Sequence, residues 1–412
     1  MKTAIIGAGI SGLTIGRLLS SQHEVVIFEE SSRPGGLCKC EYVKGNLFHT
    51  VGGHCFNSKR GDVLDWFWEQ KAGLKDQFIK VQRNAVVSLN EGSIVPYPIE
   101  NHIYKLPREL QARIIRDLLE LGTLPDKTVD TFHDFLMSRF GKTLYDIYFA
   151  PYNRKIWQRS LKDVPLSWLK GKLPMPSVEE ILISNFNHEE ENNMVHSSFY
   201  ASKVGGSQMI INTLAAGLDI RCNSKVDHMV YKEGKWEVMG EMFERVIFCA
   251  NSYFLPDIIS GICETALDRL KELEFHGTTS VLCLLNKNPY TWVYLPSEDF
   301  NAHRIICTGN FSQRNSECGA FSGIVEFSAK LSQAQIESQL DRVPLSPQYL
   351  AHHYEEFTYP VQSGNTRSII DAVKSALRPK KFFLLGRFAE WEYYNMDAAM
   401  GAALDLFHSI RS

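Results

Sequence analysis

The feature that most narrows the choice of fold is a glycine pattern near the start of the chain. "TAII" at residues 3–6 runs into Gly7-x-Gly9-x-x-Gly12, and "LTIGRLLS" follows with helical spacing. "EVVIFEE" at 24–30 then reads as a second buried strand that carries Glu29 near its end. Strand, glycine turn, helix and strand ending on an acid make up the βαβ unit that binds a dinucleotide. Gly7 serves the tight turn, Gly9 lets backbone approach a pyrophosphate, and Gly12 lets helix and strand pack closely. The helix N-terminus offers unpaired N–H groups and a favourable dipole to the phosphates. Glu29 suits ribose hydroxyls and would repel the extra phosphate of NADP.

At 412 residues the chain exceeds what one simple core supports, so two or three domains are expected. A formal net charge of −3 argues against bulk binding to nucleic acid or an anionic membrane, so an anionic ligand needs a local arginine site. No apolar run approaches the roughly 20 residues of a membrane helix, and glycines break the opening segment too early for a signal peptide. Nine cysteines without a CxxC pair fit reduced thiols in a cytoplasm. Cys38 and Cys40 have no neighbours that would make them a metal site, and no metal is expected.

Further along, "PRELQARIIRDLLELG" (107–122) is an amphipathic helix with Pro107 near its start and Gly122 just past its end. Its apolar face holds Leu110, Ile114, Leu118 and Leu121. A second helical stretch spans Asp130 to Ser160, with breaks at Gly141 and Pro151. "NHEEENN" at 187–193 reads as an exposed acidic loop. From about residue 276, segments such as "TTSVLCLLNK" and "FSGIVEFSA" imply a separate antiparallel sheet. The fold class is therefore α/β: a Rossmann-type dinucleotide domain, a small helical domain and an antiparallel β-sheet domain. The expected division is 1–75 with 203–265 and 378–412 for the first, 104–165 for the second, and 76–103 with 166–202 and 266–377 for the third.

The segment after the second strand, "SSRPGGLCKC", with Arg33, Gly35 and Gly36, resembles the extension in FAD proteins of the amine oxidase and glutathione reductase type. Residues 223–252 support FAD, reading as strand, turn at Gly234, strand and buried strand. The resemblance places the backbone of Val226 against adenine; a plain strand core residue is the alternative there.

Taken together the motifs resemble the UDP-galactopyranose mutases. "HTVGGHCF" supplies Val51, Gly52, Gly53 and His54 of a YGAH-type segment, and "KVGGSQMI" supplies Gly205 and Gly206 of a VGG turn. Tyr152, Lys155, Trp157, Arg159 and Ser160 match a Y-x-x-K-x-W-x-R-S segment, and "GRFAEWEYYNM" matches GR-x-AE-x-x-YYDM. The last two are specific to the family.

By this resemblance Gly386, Arg387 and Met396 lie at the flavin, with Gly53 and His54 on the loop beside its ring. Tyr152 stacks on uracil, Trp157 and Tyr359 lie near the sugar, and Tyr393 and Asn395 join the substrate site. Arg304 aligns with a mobile-region arginine that pairs with the diphosphate. Arg304, Tyr393 and His54 are the candidate catalytic residues. The sequence departs from the family where Pro176 replaces a diphosphate arginine, Phe327 replaces a tyrosine, and Asn395 replaces an aspartate.

The resemblance implies an isomerase in which N5 of reduced FAD attacks the anomeric carbon of a UDP-sugar and expels UDP, the ring then reclosing in the other size. It also implies a place in cell-surface polysaccharide biosynthesis, and leaves a homodimer open. The rival reading is an FAD oxidoreductase of the amine oxidase or protoporphyrinogen oxidase type.

Overall fold

The computed structural model describes residues 1–89, 92–122, 129–166, 176–188, 197–262 and 265–411. The glycine pattern forms the unit it demands. Strand Lys2–Ile6, helix Ile10–Leu19 and strand Glu24–Phe28 follow in turn, and the strands pair in parallel with Ala4 opposite Val26. The complete sheet is parallel, in the order Phe382–Leu384, Arg245–Phe248, Lys2–Ile6, Glu24–Phe28, Asp219–Arg221. Both faces are covered, so the inner stretches of its three central strands are apolar: Ala4, Ile5, Ile27 and Ile247 are buried to 0% exposure. Helix Ile10–Leu19 packs on the C-terminal helix Met396–Arg411, which brings the two ends of the chain together.

Residues 223–252 differ from expectation in one respect. Met229–Lys232 and Lys235–Val238 form the hairpin about Gly234, but Glu241–Phe243 adds another strand before the buried Arg245–Phe248. Val226 precedes the hairpin and is buried in the core without belonging to a strand. Two hydrogen bonds hold this stretch to the nucleotide side, from Ser224 N to Glu29 O and from Asn223 N to Ser31 O.

The second large sheet has seven strands, in the order Gln348–Val361, Glu274–Leu284, Ser322–Phe327, Ala302–Ile306, Trp292–Tyr294, Ala85–Ser88, Ile94–Pro96. It is antiparallel except at one seam, where Trp292–Tyr294 pairs with Ala85–Ser88 in parallel. Those two strands come from distant parts of the chain, so no hairpin dictates their direction. Alternation along the strands divides the side chains between two cores. Val281, Ile305, Val325 and Phe327 face one way, and Leu282, Ile306 and Ile324 face the other.

A helical layer lies over the second of these faces. Helix Arg108–Gly122 buries Ile114 and Leu118 as its periodicity predicts, and includes Gly122. Helix Phe132–Leu144 kinks at Gly141 (φ 76°, ψ 169°), where a Cβ would lie 2.6 Å from Asp117 Cβ. Pro151 does not break the run. The turn before it, Tyr145–Phe149, is a π-helix, and Pro151 sits in the first turn of helix Ala150–Trp157. A ring without an N–H fits there because early helical N–H groups need no partner within the helix. Among the described residues, no helix is long and apolar enough to cross a membrane. Residues 189–193 of the acidic stretch lie outside the described residues, as do 167–175.

Candidate functional site

The nucleotide end is built by close backbone approaches. Gly7 has φ 101°, and a Cβ on Gly12 would stand 2.0 Å from Gly7 O. A Cβ on Gly36 (φ 52°) would come within 3.3 Å of Gly9 Cα, so the two glycine segments lie against each other. Helix Ile10–Leu19 has no acid in its first turn and no side chain capping Gly9. Its first N–H groups therefore have no competing carboxylate. Glu29 is buried, and its two carboxylate oxygens accept from Ala8 N (2.8 Å) and Ser31 N (3.0 Å). Arg33 donates to Cys40 O (3.0 Å) and Gln208 Oε1 (2.7 Å), while Gly35 (φ 143°) donates its N–H to Ala8 O.

Behind this loop, Cys40 Sγ lies 3.3 Å from His49 Nδ1 and 3.1 Å from Ser207 Oγ. Gly206 (φ 57°) packs on that cluster, where a Cβ would come within 3.0 Å of His49. Packing thus requires the second glycine of the VGG turn, whereas Gly205 (φ 80°) has open space around it and serves the backbone turn.

A cavity of about 170 Å³ opens between the turn that follows strand Phe382–Leu384 and one face of the seven-stranded sheet. Val51, Gly52, Gly53 and His54 line it, together with Arg304, Tyr359, Arg387, Tyr393, Asn395 and Met396. These residues come from four separate segments of the sequence. Gly386 (φ 110°) makes the turn that delivers Arg387, and a Cβ there would meet Ser11 Oγ at 2.7 Å. Arg387 donates Nε and Nη2 to Tyr394 O (3.0 and 2.5 Å) and Nη1 to Thr358 O (3.1 Å). Its guanidinium lies 5.1 Å from the Tyr393 ring centre, and Tyr393 stacks on Tyr359 at 5.6 Å and 6°. Phe388 and Trp391 instead fill the core, and burial raises the Tyr394 hydroxyl well above its ordinary pKa. The aromatic run thus divides between core and cavity. Met396 opens the last helix, with Asp397 in its first turn and also in the cavity wall. Of the small residues on that helix, Gly401 serves packing, since a Cβ there would meet Arg60 Nη1 at 3.0 Å.

His54 holds its loop to the nucleotide segment, with Nε2 2.8 Å from Leu37 O. A carbonyl only accepts, so Nε2 carries the proton. Burial pushes the imidazole pKa down to about 3, which keeps the ring neutral.

Arg304 lies on strand Ala302–Ile306, within the sheet and not on a loop. A bulge at His303 brings Arg304 opposite Glu326, and the two form a close ion pair. Glu326 is 2% exposed at its side chain and Arg304 22%. Arg304 Nη2 also donates to Tyr359 Oη at 3.1 Å. Glu326 is a cavity residue that sequence reading missed. Its only local signal is an acid in an otherwise apolar strand, "SGIVEF".

The Y-x-x-K-x-W-x-R-S segment works mainly beside the cavity. Tyr152 is buried between Tyr148 (5.6 Å, stacked) and Tyr294 (5.4 Å, edge-on), and Tyr294 lines the cavity. Trp157 packs against the helical core and is not among the lining residues. Lys155 Nζ donates to Leu295 O (2.9 Å) and Ala302 O (2.8 Å), and Arg159 pairs with Glu274 at 2.6 Å. These two cations fasten the helical layer to the sheet.

One expected departure moves away from the site. Phe327 is fully buried in the core on the other face, because successive strand residues alternate and Glu326 takes the cavity side. Its missing hydroxyl does not touch the cavity. Asn395 does line it and is exposed. Pro176 is described, but the "KLPM" before it lies outside the described residues.

Residues 5–70 match the NAD(P)-binding Rossmann-like domain. The chain is 30% identical to a dTDP-fucopyranose mutase of Escherichia coli over 185 residues, 42% of this chain and 46% of that protein. The match thus spans less than half of that relative's length. A UDP-galactopyranose mutase of Mycoplasma genitalium is 21% identical across 96% of this chain and 91% of its own. A crystal structure of reduced UDP-galactopyranose mutase superposes with a TM-score of 0.88 at 20% identity, covering 100% of this chain and 95% of that one. The mixed α/β fold read from the sequence is that structure's fold. The resemblance to the UDP-galactopyranose mutases extends beyond the motifs to the whole sequence.

Proposed function

We propose that this chain is a flavin-dependent mutase that interconverts the pyranose and furanose forms of a UDP-sugar, with FAD reduced for activity. The observation that carries the reading is the convergence of motif residues from four segments on one cavity beside the turn that follows strand Phe382–Leu384. The residues fit FAD. The Gly9–Gly36 approach leaves bare backbone for a pyrophosphate, the helix behind it has no competing acid, and Glu29 is held at the ribose position. The likeness to two sugar mutases adds support.

The chemistry supplied by bound, reduced flavin is nucleophilic attack through N5 on the anomeric carbon. The chain's own residues bind and orient. Arg387, fixed by two carbonyls, sets positive charge beside the Tyr393 ring. The stacked Tyr359 and Tyr393 form a wall for the sugar and diphosphate. Tyr152, reached through Tyr294, belongs to the base end. Neutral His54 positions its loop against the flavin and gives up no proton near pH 7. Asn395 offers an amide where the family has a carboxylate, so it can accept or donate without adding negative charge.

The test is chromatography of UDP-galactofuranose, and in parallel dTDP-fucofuranose, incubated with dithionite-reduced protein. Conversion of UDP-galactofuranose to the pyranose is the expected result; conversion of the thymidine compound alone would change the assigned substrate. A flavin-loaded chain that isomerises neither sugar, and releases peroxide with an amine substrate, would replace the mutase reading with an oxidase.

A further inference from the structure

The cavity holds three arginines, and only one is matched by an acid. Arg304 is paired with Glu326, and Arg387 is bonded to backbone carbonyls. The third, Arg83, sits just before strand Ala85–Ser88 and carries no family motif. Its Nη2 donates to Tyr294 Oη at 2.6 Å. Its guanidinium lies 5.1 Å from the Trp292 ring centre and 5.6 Å from that of Tyr97. Nε is buried without a hydrogen-bond acceptor, and no carboxylate pairs with the group among the described residues.

Removing a guanidinium from water without a counter-charge is costly, and contact with ring faces returns only part of that cost. The aromatic contacts and the Tyr294 hydroxyl fix where the fork points, but they do not neutralise it. An anion in the cavity would. The nucleotide sugar proposed above brings such a group, and the residue in the expected diphosphate-arginine position is Pro176. Tyr294 is shared: its hydroxyl takes the Arg83 bond and its ring touches Tyr152 at the base end.

We propose that Arg83 is the residue that binds the diphosphate of the nucleotide sugar, taking over the charge that Pro176 cannot supply. This rests on the nucleotide-sugar reading above. An arginine is suited to the task because its planar fork meets two phosphate oxygens at once. Tyr294 positions Arg83 for that contact.

The test is titration of the flavin-loaded full chain with UDP and with uridine, followed by flavin absorbance. Arg83→Gln should weaken UDP binding about 10- to 100-fold, the loss of one or two charge-assisted hydrogen bonds, and change uridine binding less than about threefold. Arg83→Lys, which keeps the charge without the fork, should fall between. Tyr294→Phe leaves Arg83 present but unanchored and should weaken UDP binding by a smaller factor. UDP binding by Arg83→Gln within about threefold of wild type overturns the proposal, as do equal losses for UDP and uridine. A wild-type chain that retains flavin but binds no UDP overturns the nucleotide-sugar reading along with it.

Discussion

Replacing Glu326 by glutamine tests how the cavity is held. The substitution preserves shape and removes the charge that faces Arg304 across the sheet. Glu326 is 2% exposed and Arg304 22%, so the arginine keeps a fifth of its side-chain surface toward the cavity. Breaking a buried ion pair by removing one partner costs roughly 3–5 kcal/mol. Partial exposure of Arg304 argues for the lower end, about 3 kcal/mol, or roughly a hundredfold in a two-state folding equilibrium. The Tyr359 hydroxyl at 3.1 Å remains, but it does not neutralise the guanidinium. Replacing both members by methionine should recover most of the loss, since neither charge is then stranded. Urea denaturation followed by tryptophan fluorescence, on E326M, R304M and the double variant R304M/E326M, yields the coupling energy, with E326Q measured beside them. An E326Q chain within about 0.5 kcal/mol of wild type, or strictly additive variants, would refute the argument that the pair is a stability element.

Three further outcomes follow from the same geometry. Gly12→Ala drives a Cβ to 2.0 Å from Gly7 O, so the purified chain should lose its yellow flavin colour; retained flavin at wild-type stoichiometry would contradict the close-packing argument. Burial holds His49 near a pKa of about 4 and His54 near about 3, while both titrate near 6.5 when unfolded. Their contribution to stability is therefore intact above pH 6.5 and is lost as pH falls toward 4, at about 1.4 kcal/mol per pH unit for each histidine. The urea midpoint of wild type should drop faster from pH 7 to 5 than that of H54Q, and parallel curves would disprove the link. Lys155→Met removes donors to Leu295 O and Ala302 O, and should cost about 2 kcal/mol while leaving flavin content unchanged. Thermal unfolding checks this, and loss of flavin would place Lys155 in the cofactor site instead.

Much of the nucleotide end was legible in the sequence because its constraints are local. A tight turn at Gly7, a helix pressed on a strand at Gly12 and an acid at the end of the next strand all fall within one βαβ unit. Helix Arg108–Gly122 was legible for the same reason, since its buried face repeats with the turn of the helix. The run around Pro151 misled, because a π-turn just upstream lets a proline continue a helical segment that composition alone would break.

What lay beyond the sequence was decided by pairing between strands far apart in the chain. Only the register of Ala302–Ile306 against Ser322–Phe327, with its bulge at His303, turns Glu326 toward Arg304 and Phe327 away. A one-residue slip would exchange them. Arg83 reads as an ordinary surface cation until its neighbours are known, since Tyr294 is 211 residues away in sequence. The motif residues Lys155 and Arg159 serve as fasteners in the fold, because a side chain's role depends on which carbonyls and acids the packing brings within reach. The sequence by itself determined the dinucleotide unit and the motif segments that reach the cavity, whereas only the tertiary structure brought Arg83 and Glu326 to it and decided which charges are already paired.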